Sequence, residues 1–119
     1  MTDAERTLTV TPRPHRADLV VLHVAGELDH HTAPLLRQAI DEFPFADSGL
    51  VLDVSDLLYC DSTGLTVFVT AHHRAEAAGS GLVIAGLRDD LRRVFDITGL
   101  DQFFTLRPST EQAVASVSE

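Results

Sequence analysis

The sequence contains no lysine; all nine basic residues are arginine. That absence excludes a Schiff-base lysine, a P-loop lysine, a kinase-type lysine on an ATP phosphate and a Ser-x-x-Lys hydrolase. Positive charge is scarce altogether: 18 acids leave a formal net charge of -9 over 119 residues. Such a balance argues against a nucleic-acid binder, which needs a basic footprint to neutralise phosphates. It also argues against adhesion to anionic membranes. Cys60 is the single cysteine, so no intramolecular disulfide forms, as suits a reducing cytoplasm. No apolar run approaches the roughly 18 residues of a membrane span, and the first residues lack the basic-then-apolar pattern of a signal peptide. Gly79-Ser80-Gly81 reads as a helix stop and strand start rather than a phosphate-binding loop. The expectation is one soluble, cytoplasmic domain over residues 1–119, with a core from about 5 to 117 and frayed ends. No cofactor, nucleic-acid partner or membrane partner is expected.

What is present is a hydropathy pattern that changes period repeatedly. Thr7–Thr11 alternates and predicts a strand, which Pro12 to Arg16 should break. Leu19–Ala25 is a β-branched run that predicts a buried strand ended by Gly26. Thr32 is a candidate N-cap with Pro34 in the next turn, opening a helix through Leu35, Leu36, Ala39, Ile40 and Phe43. Leu50–Val54 predicts a short buried strand. Asp61 or Ser62 then caps a long helix to about Ala78. Leu82–Ala85 is the next strand, and Leu91, Val94, Phe95 and Thr98 mark a helix ended by Gly99. Phe103–Leu106 predicts an edge strand, and Pro108–Glu111 opens a last helix. The order β-β-α-β-α-β-α-β-α gives an α/β sheet with crossover connections.

Two strand-to-helix turns carry the candidate chemistry. In Tyr59–Leu65, two hydroxyls and an acid stand at a helix N-terminus beside unpaired backbone N–H groups. Ser62, Thr66, Thr70 and His73 share one face of that helix, with Val67, Phe68, Ala71, Ala75 and Ala78 opposite. Arg74 stands at the margin of that face and Thr63 falls between Thr70 and Arg74, so the wheel does not choose between Ser62 and Thr63. The other turn is Gly26–Pro34, which holds Glu27, Asp29, His30 and Thr32. From Glu27 to Asp61 there are eight acids and one base, Arg37, either a solvated face or a surface for a basic partner. Both turns emerge on the same side of a parallel sheet if their strands run parallel.

Other chemistries fit less well. Ser62 and the histidines could supply a small Ser-dependent hydrolase, but no Gly-x-Ser-x-Gly elbow is present. His30-His31 and His72-His73 are adjacent pairs, and helix neighbours point about 100° apart, so metal chelation is disfavoured. Cys60 reads as a small core residue. Asp53 ends a predicted strand as a receiver-domain phosphoacceptor would, but that chemistry needs a lysine; Asp53 more simply supports or caps the adjoining turn.

Gly26-Glu27-Leu28-Asp29, then Asp61-Ser62-Thr63-Gly64-Leu65, then Val94-Phe95-Asp96-Ile97-Thr98-Gly99-Leu100 stand in the order and spacing of the STAS domain. The chain resembles a stand-alone anti-anti-sigma factor (an anti-sigma factor antagonist) over about residues 5–117. The resemblance implies a STAS fold, a mixed sheet of about four or five strands with helices packed mainly on one side. It also implies a bacterial partner-switching circuit and no catalytic activity. In the family the chain resembles, an ATP-binding serine/threonine kinase that doubles as an anti-sigma factor phosphorylates the turn serine, whose position here is Ser62. The unmodified antagonist binds that kinase and frees a sigma factor, and a PP2C-type phosphatase resets the switch. Glu27, Asp29, His30, Thr32, Asp61, Ser62, Thr63, Gly64 and Thr66 are the implied partner-binding residues. Thr66 departs from many members of that family, which carry glycine there; its side chain alters close approach by a partner. The alternative within the same fold is an interaction module of a signalling or scaffold complex unrelated to sigma factors.

Overall fold

The structure, a computed structural model, describes residues 7–117. The elements in chain order are β1 (Leu8–Arg16), β2 (Leu19–Leu28), α1 (Ala33–Glu42), β3 (Gly49–Cys60), α2 (Ser62–Ala77), β4 (Leu82–Ala85), α3 (Asp89–Thr98), α4 (Leu100–Phe103), β5 (Thr105–Arg107) and α5 (Thr110–Val117). The strands form a single sheet in the order β1-β2-β3-β4-β5, with β1 antiparallel to β2 and every other pair parallel. The mixed α/β architecture agrees with the expected one. The expected fraying of the extreme termini concerns residues outside those described, apart from Val117, which closes α5.

The core follows from strand alternation. Leu22, Val24, Leu50, Leu52, Val54 and Ile84 face Leu36, Ile40, Val67, Phe68, Ala71, Ala75, Leu91 and Phe95 in the larger core. The opposite sheet face holds Leu19, Val21, Val51, Val83 and Ala85 against Ala113. Successive right-handed crossovers that step in one direction across a sheet lay their helices on one face. That places α1, α2 and α3 together. The last helix, α5, follows the final strand and makes no crossover, so it is free to cover the other face.

Four boundaries differ from the sequence reading. Pro12 and Pro14 lie inside β1, opposite Leu22 and Val20. The Thr7 carbonyl accepts from the Glu27 N–H at 2.9 Å, so odd-numbered residues of β1 face β2. Both prolines therefore turn their nitrogens to the open edge, where no ladder donor is lost. Gly26 does not end β2. It sits within the strand at φ 108°, where a side chain would collide with the Thr7 carbonyl, so the chain passes through a left-handed kink that glycine allows.

The third difference is the length of β3, which has 12 residues against 10 in β2. Between His23 and Ala25 the partner strand runs from Asp53 to Asp56, and between Gly26 and Glu27 it runs from Leu57 to Tyr59. Each step inserts one extra β3 residue, a β-bulge that adds twist and re-aims side chains. Fourth, Phe103 ends the short helix α4 rather than starting β5; the Phe104 N–H donates to the Leu100 carbonyl at 3.0 Å. At the end of α2, Ala78 is exposed as the C-cap and leaves the buried stripe.

Candidate functional site

Parallel pairing of β2 and β3 brings the two singled-out turns together. Leu28 lies opposite Cys60, and the Asp61 N–H donates to the Leu28 carbonyl at 3.1 Å. One backbone bond thus ties the end of β2 to the start of α2.

Within the second turn, Asp61 is the N-cap. Its backbone is extended, and its carboxylate accepts from the Gly64 N–H at 3.1 Å. Its carbonyl accepts the first helical bond from Leu65 at 3.0 Å. The choice between Asp61 and Ser62 as cap is thereby decided, and Ser62 is left with an exposed side chain. Thr63 is half-buried, so exposure separates the two hydroxyls that the wheel could not. Along the exposed side of α2, Thr66 donates to the Ser62 carbonyl at 3.0 Å and Thr70 to the Thr66 carbonyl at 3.1 Å. Such bonds to the residue four back fix the threonine rotamers.

Gly64 is buried beneath this turn. A Cβ there would stand 2.6 Å from Leu28 Cγ and 2.7 Å from Cys60 Sγ. Its place in the motif is close packing of α2 on β2 and β3, so it shapes the site from inside. Burial pushes the Cys60 thiol up to about 12, and the neighbouring Asp61 carboxylate adds to the rise. A thiol held protonated in this way is not a nucleophile at neutral pH.

The first turn is self-contained. Asp29 is only 6% exposed, and its carboxylate accepts from the His31 N–H at 2.9 Å and the Thr32 N–H at 3.0 Å. Thr32 occupies the N-cap position of α1 but makes no side-chain cap bond. Its hydroxyl turns back instead, accepting from the Asp29 N–H at 2.9 Å and donating to the Glu27 carbonyl at 2.8 Å. Glu27 is half-buried and accepts from the Thr7 N–H at 3.2 Å. The exposed members of this turn are His30 and His31, whose ring centroids lie 4.1 Å apart. Asp29, a candidate contact residue in the sequence, holds the turn that presents the histidines.

The acidic stretch also changes in three dimensions. Asp41 and Glu42 sit at the far end of α1, where Asp41 lies 3.5 Å from Arg74. Asp53, in mid-strand, is buried and accepts from the Ser55 backbone N–H at 3.1 Å and its hydroxyl at 2.7 Å. It therefore braces the first β3 bulge. Asp56 pairs with His23 at 2.8 Å. Sequence proximity gathers these acids into one stretch; the fold disperses them, leaving Glu27, the nearly buried Asp29 and Asp61 at the two turns. The histidines and Ser62 do not assemble either. Among the described residues, no hydrogen bond joins Ser62 to a histidine, and His72 packs on Phe103 at 4.3 Å.

Leu58 and Tyr59, 54% and 44% exposed, also border the site. Hydropathy carries no sign that Leu58 is exposed, because Leu57-Leu58-Tyr59 reads as a continuous apolar run and a bulge leaves no mark in it.

Residues 10–113 match the STAS domain family. The chain belongs to that family. An anti-sigma-B factor antagonist of Listeria monocytogenes is 36% identical over 102 residues, covering 84% of this chain and 89% of the relative. The crystal structure of an anti-sigma factor antagonist from Mycobacterium paratuberculosis superposes with a TM-score of 0.85 at 31% identity, covering 95% of this chain and 96% of that one. The phosphorylated form of the Bacillus cell-fate determinant SpoIIAA shares the fold, with a TM-score of 0.73 at 22% identity over 92% of this chain and 99% of that one. For this STAS domain, no helix among the described residues is long and apolar enough to cross a membrane.

Proposed function

We propose that the protein is an anti-sigma factor antagonist whose binding is switched by phosphorylation of Ser62. The unmodified form binds an anti-sigma factor that is also an ATP-dependent serine kinase, and a sigma factor is released. A PP2C-type phosphatase restores the unmodified form, and the circuit operates in the cytoplasm. The observation that carries this reading is the exposed Ser62 side chain at the first position of α2, with capping done by Asp61.

The chemistry at that position is favourable. In the transfer step the Ser62 oxygen bonds to the γ-phosphorus of the kinase's ATP, the bond to the β-phosphate breaks, and ADP leaves. The hydroxyl proton passes to the kinase. The product carries about -1.5 to -2 charges at pH 7. A helix N-terminus stabilises such a group through its dipole and free N–H donors. Asp61 accepts from the N–H groups of Gly64 and Leu65, while those of Ser62 and Thr63 precede the helical ladder. Modification is therefore compatible with the fold, and its effect falls on the partner. A partner fitted to a neutral hydroxyl beside Glu27 and Asp61 would meet an unpaired charge. Such a mismatch costs on the order of 2–5 kcal/mol, more than tenfold in affinity. Glu27, Asp29, His30, Thr32, Asp61, Ser62, Thr63, Gly64 and Thr66 make up the docking region. His30, Ser62 and Thr66 present exposed side chains, and Asp29, Thr32 and Gly64 shape the region from within.

The test is incubation with the purified anti-sigma kinase of the same organism and ATP, followed by mapping of the phosphate by mass spectrometry. Phosphate on Ser62, and none on Ser62→Ala, is expected. Phosphate elsewhere would remove the site assignment. Ser62 modification without release of any sigma factor would favour a STAS interaction module in another signalling complex.

A further inference from the structure

The second bulge of β3 makes a surface that the Ser62 motif does not account for. Leu57 is 1% exposed, yet the next residue, Leu58, is 54% exposed. Leu58 is the extra residue, without a register partner, at the step from Leu57 to Tyr59, so the bulge turns a large apolar side chain outward. The strand beside it is missing as well. The β4 pairing ends at Asp53 opposite Ala85, so the rest of β3 has a strand neighbour on its β2 side only. The chain after β4 turns away into α3, leaving a concavity of about 560 Å³ lined by Leu58, Arg88, Asp89 and Asp90. Of the lining residues two are acids, Asp89 and Asp90, against one base, Arg88.

We propose that this concavity is a second contact for the anti-sigma factor, which places there an extended segment with an apolar side chain against Leu58 and flanking arginine or lysine toward the acids. The proposal rests on the reading of the Ser62 turn as the docking site. Three observations support it. A strand edge without a neighbouring strand can receive an extended chain. The excess of acid favours a cationic occupant and disfavours an acidic one. Leu58 also stands only four residues before Ser62, so one partner can cover both. Covering the exposed Leu58 side chain would remove apolar surface from water, a gain that Leu58→Ala gives up.

The test is isothermal calorimetry with the purified anti-sigma kinase from the same organism, comparing the parent with Leu58→Ala, Asp89→Arg and Ser62→Asp. Melting curves check that each variant is folded. Leu58→Ala is expected to weaken binding about tenfold. Asp89→Arg should weaken it several-fold at low salt, and the deficit should shrink as salt is raised. Hydrogen exchange on the complex should show new protection at Asp56–Cys60. If Leu58→Ala binds within about twofold of the parent and these amides stay unprotected, the second contact is overturned. In that case a weakened Ser62→Asp would leave the Ser62 reading standing. If Ser62→Asp binds as well as the parent, or the parent does not bind at all, both readings fall together.

Discussion

At Gly64 and Cys60 the docking turn is held from beneath. The 2.6 Å and 2.7 Å approaches of a Cβ at position 64 to Leu28 and Cys60 make Gly64→Ala an overpacking substitution at the base of α2. It should destabilise the domain by about 1–3 kcal/mol, measured by urea unfolding, and Cys60→Ala in the same chain should recover part of the loss. The Cys60 thiol gives a second test. Its ordinary value of 9.0 is raised to about 12 by burial and then by Asp61. The folded state thus favours the protonated thiol, and this residue's contribution to stability is full below pH 9 and lost as pH rises from 9 toward 12. At pH 8, iodoacetamide should label Cys60 far more slowly in native protein than in urea. Equal rates would show that the thiol is not enclosed as described.

At the scale of elements, the turn before α1 and the bulges of β3 position what the surface displays. Asp29 supplies acceptors for two backbone N–H groups from a nearly buried site. Asp29→Ala should therefore cost about 1–3 kcal/mol through unsatisfied donors, and Asp29→Asn, which keeps one acceptor, should cost less. Chemical unfolding of the two variants checks the order. Elements whose residues repeat with one clear period were legible in the sequence. Leu82–Ala85 forms β4 as predicted, and Val67, Phe68, Ala71 and Ala75 face inward as the wheel indicates. The Asp61-Ser62 start of α2 was legible because capping chemistry is local. What the sequence hid depends on a neighbouring strand. Pro12 and Pro14 are tolerated because β1 is an edge, and β3 continues past Val54 because two bulges each absorb one extra residue, one between Asp53 and Asp56 and one at Leu58. The role of Asp29 was hidden for the same reason, since exposure is set by what packs around a residue.

Across the whole molecule, a sheet whose crossover-connected strands all run parallel gathers its strand-to-helix turns at one end. The Asp29 turn, the Ser62 turn and the Arg88–Asp90 turn lie at the C-terminal ends of β2, β3 and β4. The STAS domain thereby presents the exposed Ser62 and Leu58 and a third turn on a parallel scaffold. On a chain of net charge -9 whose acids are dispersed, the proposed Ser62 modification would be a local change in charge. The most direct measurement is the affinity of the purified anti-sigma kinase for this protein before and after stoichiometric phosphorylation of Ser62. The account predicts a loss of more than tenfold with the melting temperature of the antagonist unchanged. Equal affinity of the two forms would contradict it.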